Sequence, residues 1–146
     1  MRVGIASDHR GYELKTKLIE LLKEHVEIED LGTNSTESVD YPDFAFRLGE
    51  KVRNKEVDFG VAICGSGIGI SIACNKVKGI RCAKVDTVEE AIATREDNDS
   101  NIIAFGEKMT PEKAFELVVT FLTTDASTEE KHVRRRNKIM EYEENN

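Results

Sequence analysis

"DFGVAICGSGIGISIACNK", residues 58–76, is the stretch whose reading decides the fold. Its opening run, DFGVAIC, is apolar on both faces toward its end and stops at Cys64. Gly65, Gly67 and Gly69 follow at alternate positions, then a short apolar pattern at helical spacing. A buried run, a glycine-rich turn and a helix make the front half of a β–α–β unit.

The same alternation extends in both directions. Upstream, "RVGIAS" (2–7) reads as a strand, and Leu14, Leu18, Leu21 and Leu22 repeat at helical spacing behind it. "VEIEDLG" (26–32) alternates like a second, more exposed strand. A turn-rich loop, "GTNSTESVDYP", leads to Pro42 and Asp43, which suit a helix start, with Phe44, Leu48 and Val52 on one face. Downstream, "IRCAKV" (80–85) and "NIIAFG" (101–106) read as a fourth and a fifth strand. A helix starts at Pro111, and a strongly charged one covers roughly 127–143. Strict β–α alternation predicts an α/β fold with a parallel sheet covered on both faces. Ligands of such sheets bind beyond the C-terminal ends of the strands, near a switch in strand order.

Bulk properties bound the remainder. A chain of 146 residues without repeat or linker is most simply one domain, 1–146. The formal net charge of −7 argues against general binding to nucleic acid or an anionic membrane, though not against one basic pocket for a small anion. No apolar run approaches the roughly 20 residues of a membrane span, and "VGIA" before Asp8 is too short for a signal-peptide core. The expectation is a cytoplasmic protein. Cys64, Cys74 and Cys82 are an odd number without CxxC spacing, so reduced thiols are expected, with no disulfide framework and no metal site.

Polar residues gather at the predicted strand ends: Ser7, Asp8 and His9; Cys64, Gly65 and Ser66; Gly106, Glu107 and Lys108. At the Cys64 turn, alternate glycines let backbone approach a ligand, and the following amides and helix start favour an anion. That field also favours thiolate, and a thiolate beside amide donors can take a carbon-bound proton while the donors hold the resulting enediolate. An inert core cysteine before an ordinary turn is the competing reading. Other loops fail on residue identity. A cysteine-phosphatase loop needs Arg, and GxGxxG needs Gly, where Ile70 stands; GxSxG needs Gly where Cys64 stands. A receiver-like signalling domain shares the architecture but wants Asp at the end of strand 3, again the place of Cys64. Near the C-terminus, Lys131 and Arg135 are four apart on one helix face, a pair able to hold a phosphate or to partner neighbouring glutamates.

Taken in order, "IASDHRGYELK", "DLGT", "SVDYPDFA", "ICGSGIGISIACNKVKGIR", "NDSNIIAFG" and "KHVRRRNKI" resemble the ribose-5-phosphate isomerase B family, a group that includes galactose-6-phosphate isomerase subunits. The resemblance implies a Rossmann-like three-layer sandwich with a five-stranded parallel sheet in the order 2-1-3-4-5. It implies a cofactor-free aldose–ketose isomerase acting on a small phosphorylated sugar, as a homodimer or dimer of dimers with shared sites. Cys64 falls on the family's base, which moves a proton between C2 and C1 through a cis-enediolate. Ser66 and the amides of Gly65, Gly67, Ile68 and Gly69 would hold the oxyanion. Asp8, Tyr41 and Asn98 match substrate contacts, and His9, Lys108, Lys131 and Arg135 match phosphate contacts. The chain departs from the pattern in three places. Asp97 stands where the family has the His of ring opening; Lys108 and Lys131 stand for arginines; "TTDASTEEKH" lacks a glycine pair. Ribose 5-phosphate is the leading expected substrate. Allose or galactose 6-phosphate, or sugar-phosphate binding with weak catalysis, are the alternatives.

Overall fold

The computed structural model describes all 146 residues. Strands and helices alternate as β1 (Arg2–Ser7), α1 (Tyr12–Leu22), β2 (Glu27–Asp30), α2 (Tyr41–Arg53), β3 (Phe59–Cys64), α3 (Ile68–Cys74), β4 (Cys82–Lys84), α4 (Val88–Asn98), β5 (Ile102–Gly106) and α5 (Pro111–Thr123), and the chain closes with α6 (Glu130–Glu144). Every strand pairing is parallel. Helix starts follow local chemistry. Thr87 and Glu90 form a reciprocal capping box on α4, and Thr110 caps α5 ahead of Pro111.

The sheet order is β2-β1-β3-β5-β4, which corrects the order 2-1-3-4-5 that the resemblance implies. Burial gives the physical reason. Ile102, Ile103, Ala104 and Phe105 of β5 are fully buried, whereas β4 has only three residues, all partly exposed. A short, half-exposed strand suits a sheet edge, and an apolar one on both faces suits the interior. The charged last helix begins at Glu130, later than the sequence pattern suggests, because residues up to Glu129 remain extended or irregular.

Pleating splits the core into two layers. Val61 and Ile63 of β3, with Ile103 and Phe105 of β5, face Leu14, Leu18 and Leu22 of α1 and Leu117, Val118 and Phe121 of α5. On the other face, Ala62 and Cys64 of β3 meet Ala45, Leu48 and Val52 of α2 and Ile70, Ala73 and Cys74 of α3. No helix is long and apolar enough to cross a membrane. The chain runs from β1 outward to β2, then back across β1 to β3. Parallel sheets of this kind bind ligands near such a reversal, beyond the C-terminal ends of β1 and β3, where Ser7 and Cys64 stand.

Candidate active site

Cys64 ends β3 with only 4% of its surface exposed. Its Sγ accepts the backbone N–H of Gly67 at 3.2 Å. Gly67 makes this possible by its φ of 80°, a left-handed conformation that turns the amide back toward the sulfur. A Cβ on Gly67 would also stand 2.6 Å from the carbonyl carbon of Phe105. Ser66 Oγ accepts the N–H of Ile68 at 3.1 Å, which sets the serine across the start of α3. Tyr41, the first residue of α2, lays its ring on Gly69, where a Cβ would meet Cζ at 2.7 Å and Oη at 2.9 Å.

The end of β1 completes this side. The N–H of Asp8 donates to Ile63 O at 3.2 Å, tying the two strand ends together. Asp8 is 5% exposed, and its Oδ1 accepts the N–H groups of Arg10 and Gly11 at 3.0 and 3.1 Å. His9 Nδ1 accepts the N–H of Val39 at 3.2 Å, so the neutral ring carries its proton on Nε2. Asp8, His9, Tyr41, Cys64 and the turn through Gly69 therefore share one neighbourhood.

A cleft of about 460 Å³ opens beside the turn, lined by Gly65, Ser66, Lys84, Asp86, Gly106, Lys108 and Met109. Cys64 itself is not in this wall, which begins at the next residue, Gly65. Lys108 makes no ion pair there, while Lys84 is held by Asp86 at 2.7 Å. Arg10 and Glu107 were not among the candidates read from the sequence. They form a two-point ion pair against the turn, with Nε–Oε2 at 2.9 Å and Nη2–Oε1 at 2.7 Å. The hydrogen bond from Arg10, and then its charge with that of Lys108, hold the Glu107 carboxyl below its usual range. The only sequence signal for the pair was position: each follows a strand end.

Asp97, Asn98, Lys131 and Arg135 form a second neighbourhood that shares no hydrogen bond, ion pair or cleft wall with the Cys64 turn. Asn98 lines a separate cleft of about 310 Å³ with Arg81, Cys82 and Thr94. Asp97 stands 3.6 Å from His132 Nε2. On α6, Arg136 bonds to Glu96 O and Ser127 O and so anchors the helix, and Arg134 pairs with Glu130. Arg135 is exposed and makes no ion pair, and Lys131 has only Glu129 at 3.5 Å. No group of three or more His, Cys, Asp or Glu side chains is placed to hold a metal.

Chemically, the first neighbourhood offers a sulfur under an amide donor, further amides and a hydroxyl for a negative oxygen, and cations around them. The second offers exposed cations and an imidazole beside a carboxylate.

Comparison with known proteins shows what the whole chain resembles. A family model described as Ribose/Galactose Isomerase matches residues 3–139. The type B ribose 5-phosphate isomerase of Trypanosoma cruzi is 45% identical, with a TM-score of 0.94 over 100% of both chains. Ribose-5-phosphate isomerase B of Clostridium thermocellum is 44% identical, with a TM-score of 0.94 over 99% of both chains. That of Mycoplasma genitalium, solved with bound ribulose-5-phosphate, is 36% identical, with a TM-score of 0.91 over 99% of this chain and 97% of its own.

Proposed function

The chain belongs to the ribose/galactose isomerase family, and on that premise we propose that this sugar-phosphate isomerase interconverts D-ribose 5-phosphate and D-ribulose 5-phosphate in the non-oxidative pentose phosphate pathway. The observation that carries the reading is the Gly67 amide aimed at the Cys64 sulfur, with a polar cleft opening beside Gly65 and Ser66 at the C-terminal ends of the strands. The ribulose-5-phosphate bound by the Mycoplasma genitalium relative supports a five-carbon substrate.

In this reading Cys64 thiolate takes the proton from C2 of the open-chain aldose. The C2–H electrons form the C1–C2 double bond, and the former carbonyl oxygen on C1 becomes negative. The amides of Gly65, Gly67, Ile68 and Gly69 and the Ser66 hydroxyl hold that oxygen. The proton on O2 passes to O1, O2 becomes the ketone oxygen, and the Cys64 thiol returns its proton to C1. An N–H aimed at sulfur supports this cycle, since a thiolate accepts it more strongly than a thiol. Asp8 and Tyr41 contact sugar hydroxyls, and His9 and Lys108 receive the phosphate.

Asn98, Lys131 and Arg135 take part by facing the same crevice on a second copy of the chain, so the working unit is a homodimer or dimer of dimers. Asp97, 3.6 Å from His132, accepts the anomeric hydroxyl proton as the C1–O4 bond breaks, and the ring oxygen takes its proton from solvent. No cofactor or metal takes part.

A coupled assay comparing ribose 5-phosphate with allose 6-phosphate and galactose 6-phosphate tests the reading. The five-carbon sugar is expected to show the highest kcat/KM. Preference for a six-carbon sugar would move the substrate while keeping the chemistry. Binding without turnover of any of them would remove the catalytic reading.

A further inference from the structure

Arg10 and Glu107 take no part in the steps above, yet they close over the Cys64 turn from two strands. The turn admits them because position 65 is glycine. A Cβ there would stand 3.2 Å from Arg10 Cζ and 3.3 Å from both Nε and Nη1. Three nearly equal distances place the guanidinium face-on against the turn. Glu107 fixes it there from two directions: its carboxylate takes Nε and Nη2, and its own N–H donates to Gly65 O at 3.2 Å. Nη1 makes no hydrogen bond, and the side chain is 57% exposed, so that edge is open to an arriving molecule.

We propose that Arg10 is a further residue of the reaction: a cation fixed over Gly65 by Glu107 that stabilises the negative charge formed at the Cys64 turn. This rests on the reading of Cys64 as the base. The atoms nearest to Gly65 belong to the guanidinium, so the turn meets the cation before its counter-ion. Gly65 directly follows Cys64, so the guanidinium lies against the residue next to the sulfur. The other charged or titratable groups facing the turn are Asp8 and His9 after β1, Tyr41 on α2, and Lys108 beside Glu107. Asp8 opposes new negative charge and is itself buried, which makes a fixed cation on the same side more consequential. Arginine suits the place because one planar group stacks on the backbone and forks onto a carboxylate at once, which an ammonium cannot do.

The test uses the whole protein with Arg10→Gln and Arg10→Lys, and reads two quantities. One is steady-state turnover of the aldose phosphate; the other is the rate at which iodoacetamide alkylates Cys64 at neutral pH, followed by peptide mass. An exposed cation is screened by water and salt, so its loss should cost less than a buried oxyanion donor. Arg10→Gln is expected to lower kcat on the order of tenfold with KM nearly unchanged, and to slow Cys64 alkylation several-fold. Arg10→Lys should recover part of both, and the gap to wild type should narrow as salt is raised. A raised KM with unchanged kcat overturns the proposal, and so does an unchanged alkylation rate. Equal losses in the Gln and Lys variants also overturn it, since retained charge would then count for nothing. Wild-type protein whose alkylation depends on Arg10 but which turns over no aldose phosphate would leave the charge effect standing and remove the isomerase reading.

Discussion

At the scale of single residues, the three cysteines have three different environments. Cys64 meets an amide at the crevice, and Cys74 is fully buried under α2. Cys82 is half-buried and packs against the cluster that holds Cys74, and the neighbouring Cys74 sulfur first, burial second, push its thiol well above the ordinary range. Only thiolate alkylates, so Cys82 should react with iodoacetamide far more slowly than a free cysteine at neutral pH, and should remain slow through mildly alkaline pH. Peptide mass mapping after timed alkylation checks this, and a rate matching a model thiol would contradict the Cys74 contact. Asp8, His9, Cys64 and the turn residues could be named from the sequence because each sits at a strand end or in the glycine turn, whereas Tyr41, at the start of α2, came only from the family resemblance. Arg10 was not, because its placement depends on Glu107, 97 residues away. His132 was hidden for the same reason, since its neighbour Asp97 lies on a different helix.

At the scale of elements, the turn between β3 and α3 carries most of the local constraint. Gly67→Ala would put a side chain at a φ of 80° and a methyl 2.6 Å from Phe105 backbone. The left-handed strain alone is worth roughly 1–3 kcal/mol, and the clash adds to it. Denaturant unfolding should show at least this loss together with lost turnover; a variant as stable as wild type would contradict the turn geometry. The capping box on α4 starts one residue after Asp86 of the cleft wall, and Thr87→Ala should cost about 1 kcal/mol, read as a lowered Tm. Helix and strand identity was legible because burial period and caps are local. Strand order was not, because alternation along the chain says which strand follows which and nothing about which lie side by side. Even so, "NIIAFG" reads as uninterrupted apolar core and "IRCAKV" carries charges at both ends, and that contrast points to the interior and edge places that β5 and β4 occupy.

At the scale of the whole molecule, a single chain holds the proposed site in two separated halves. Ile68 and Ile72 share one face of α3 and are 54% and 57% exposed, close to the Cys64 turn. An exposed apolar face beside an incomplete site fits pairing with a second copy. Sedimentation should give a mass at least twice the 16.4 kDa of one chain, and Ile72→Glu should yield monomers that keep their fold but lose turnover. A monomeric, fully active wild type would contradict the shared site. The account as a whole rests on the Cys64 sulfur carrying the proton. Its most direct test is Cys64→Ala, followed in deuterated water with ribose 5-phosphate. The predicted result is a loss of turnover of about 10²–10⁴-fold, with carbon-bound deuterium no longer entering the sugar while sugar-phosphate binding persists. Undiminished turnover and labelling in that variant would contradict the account.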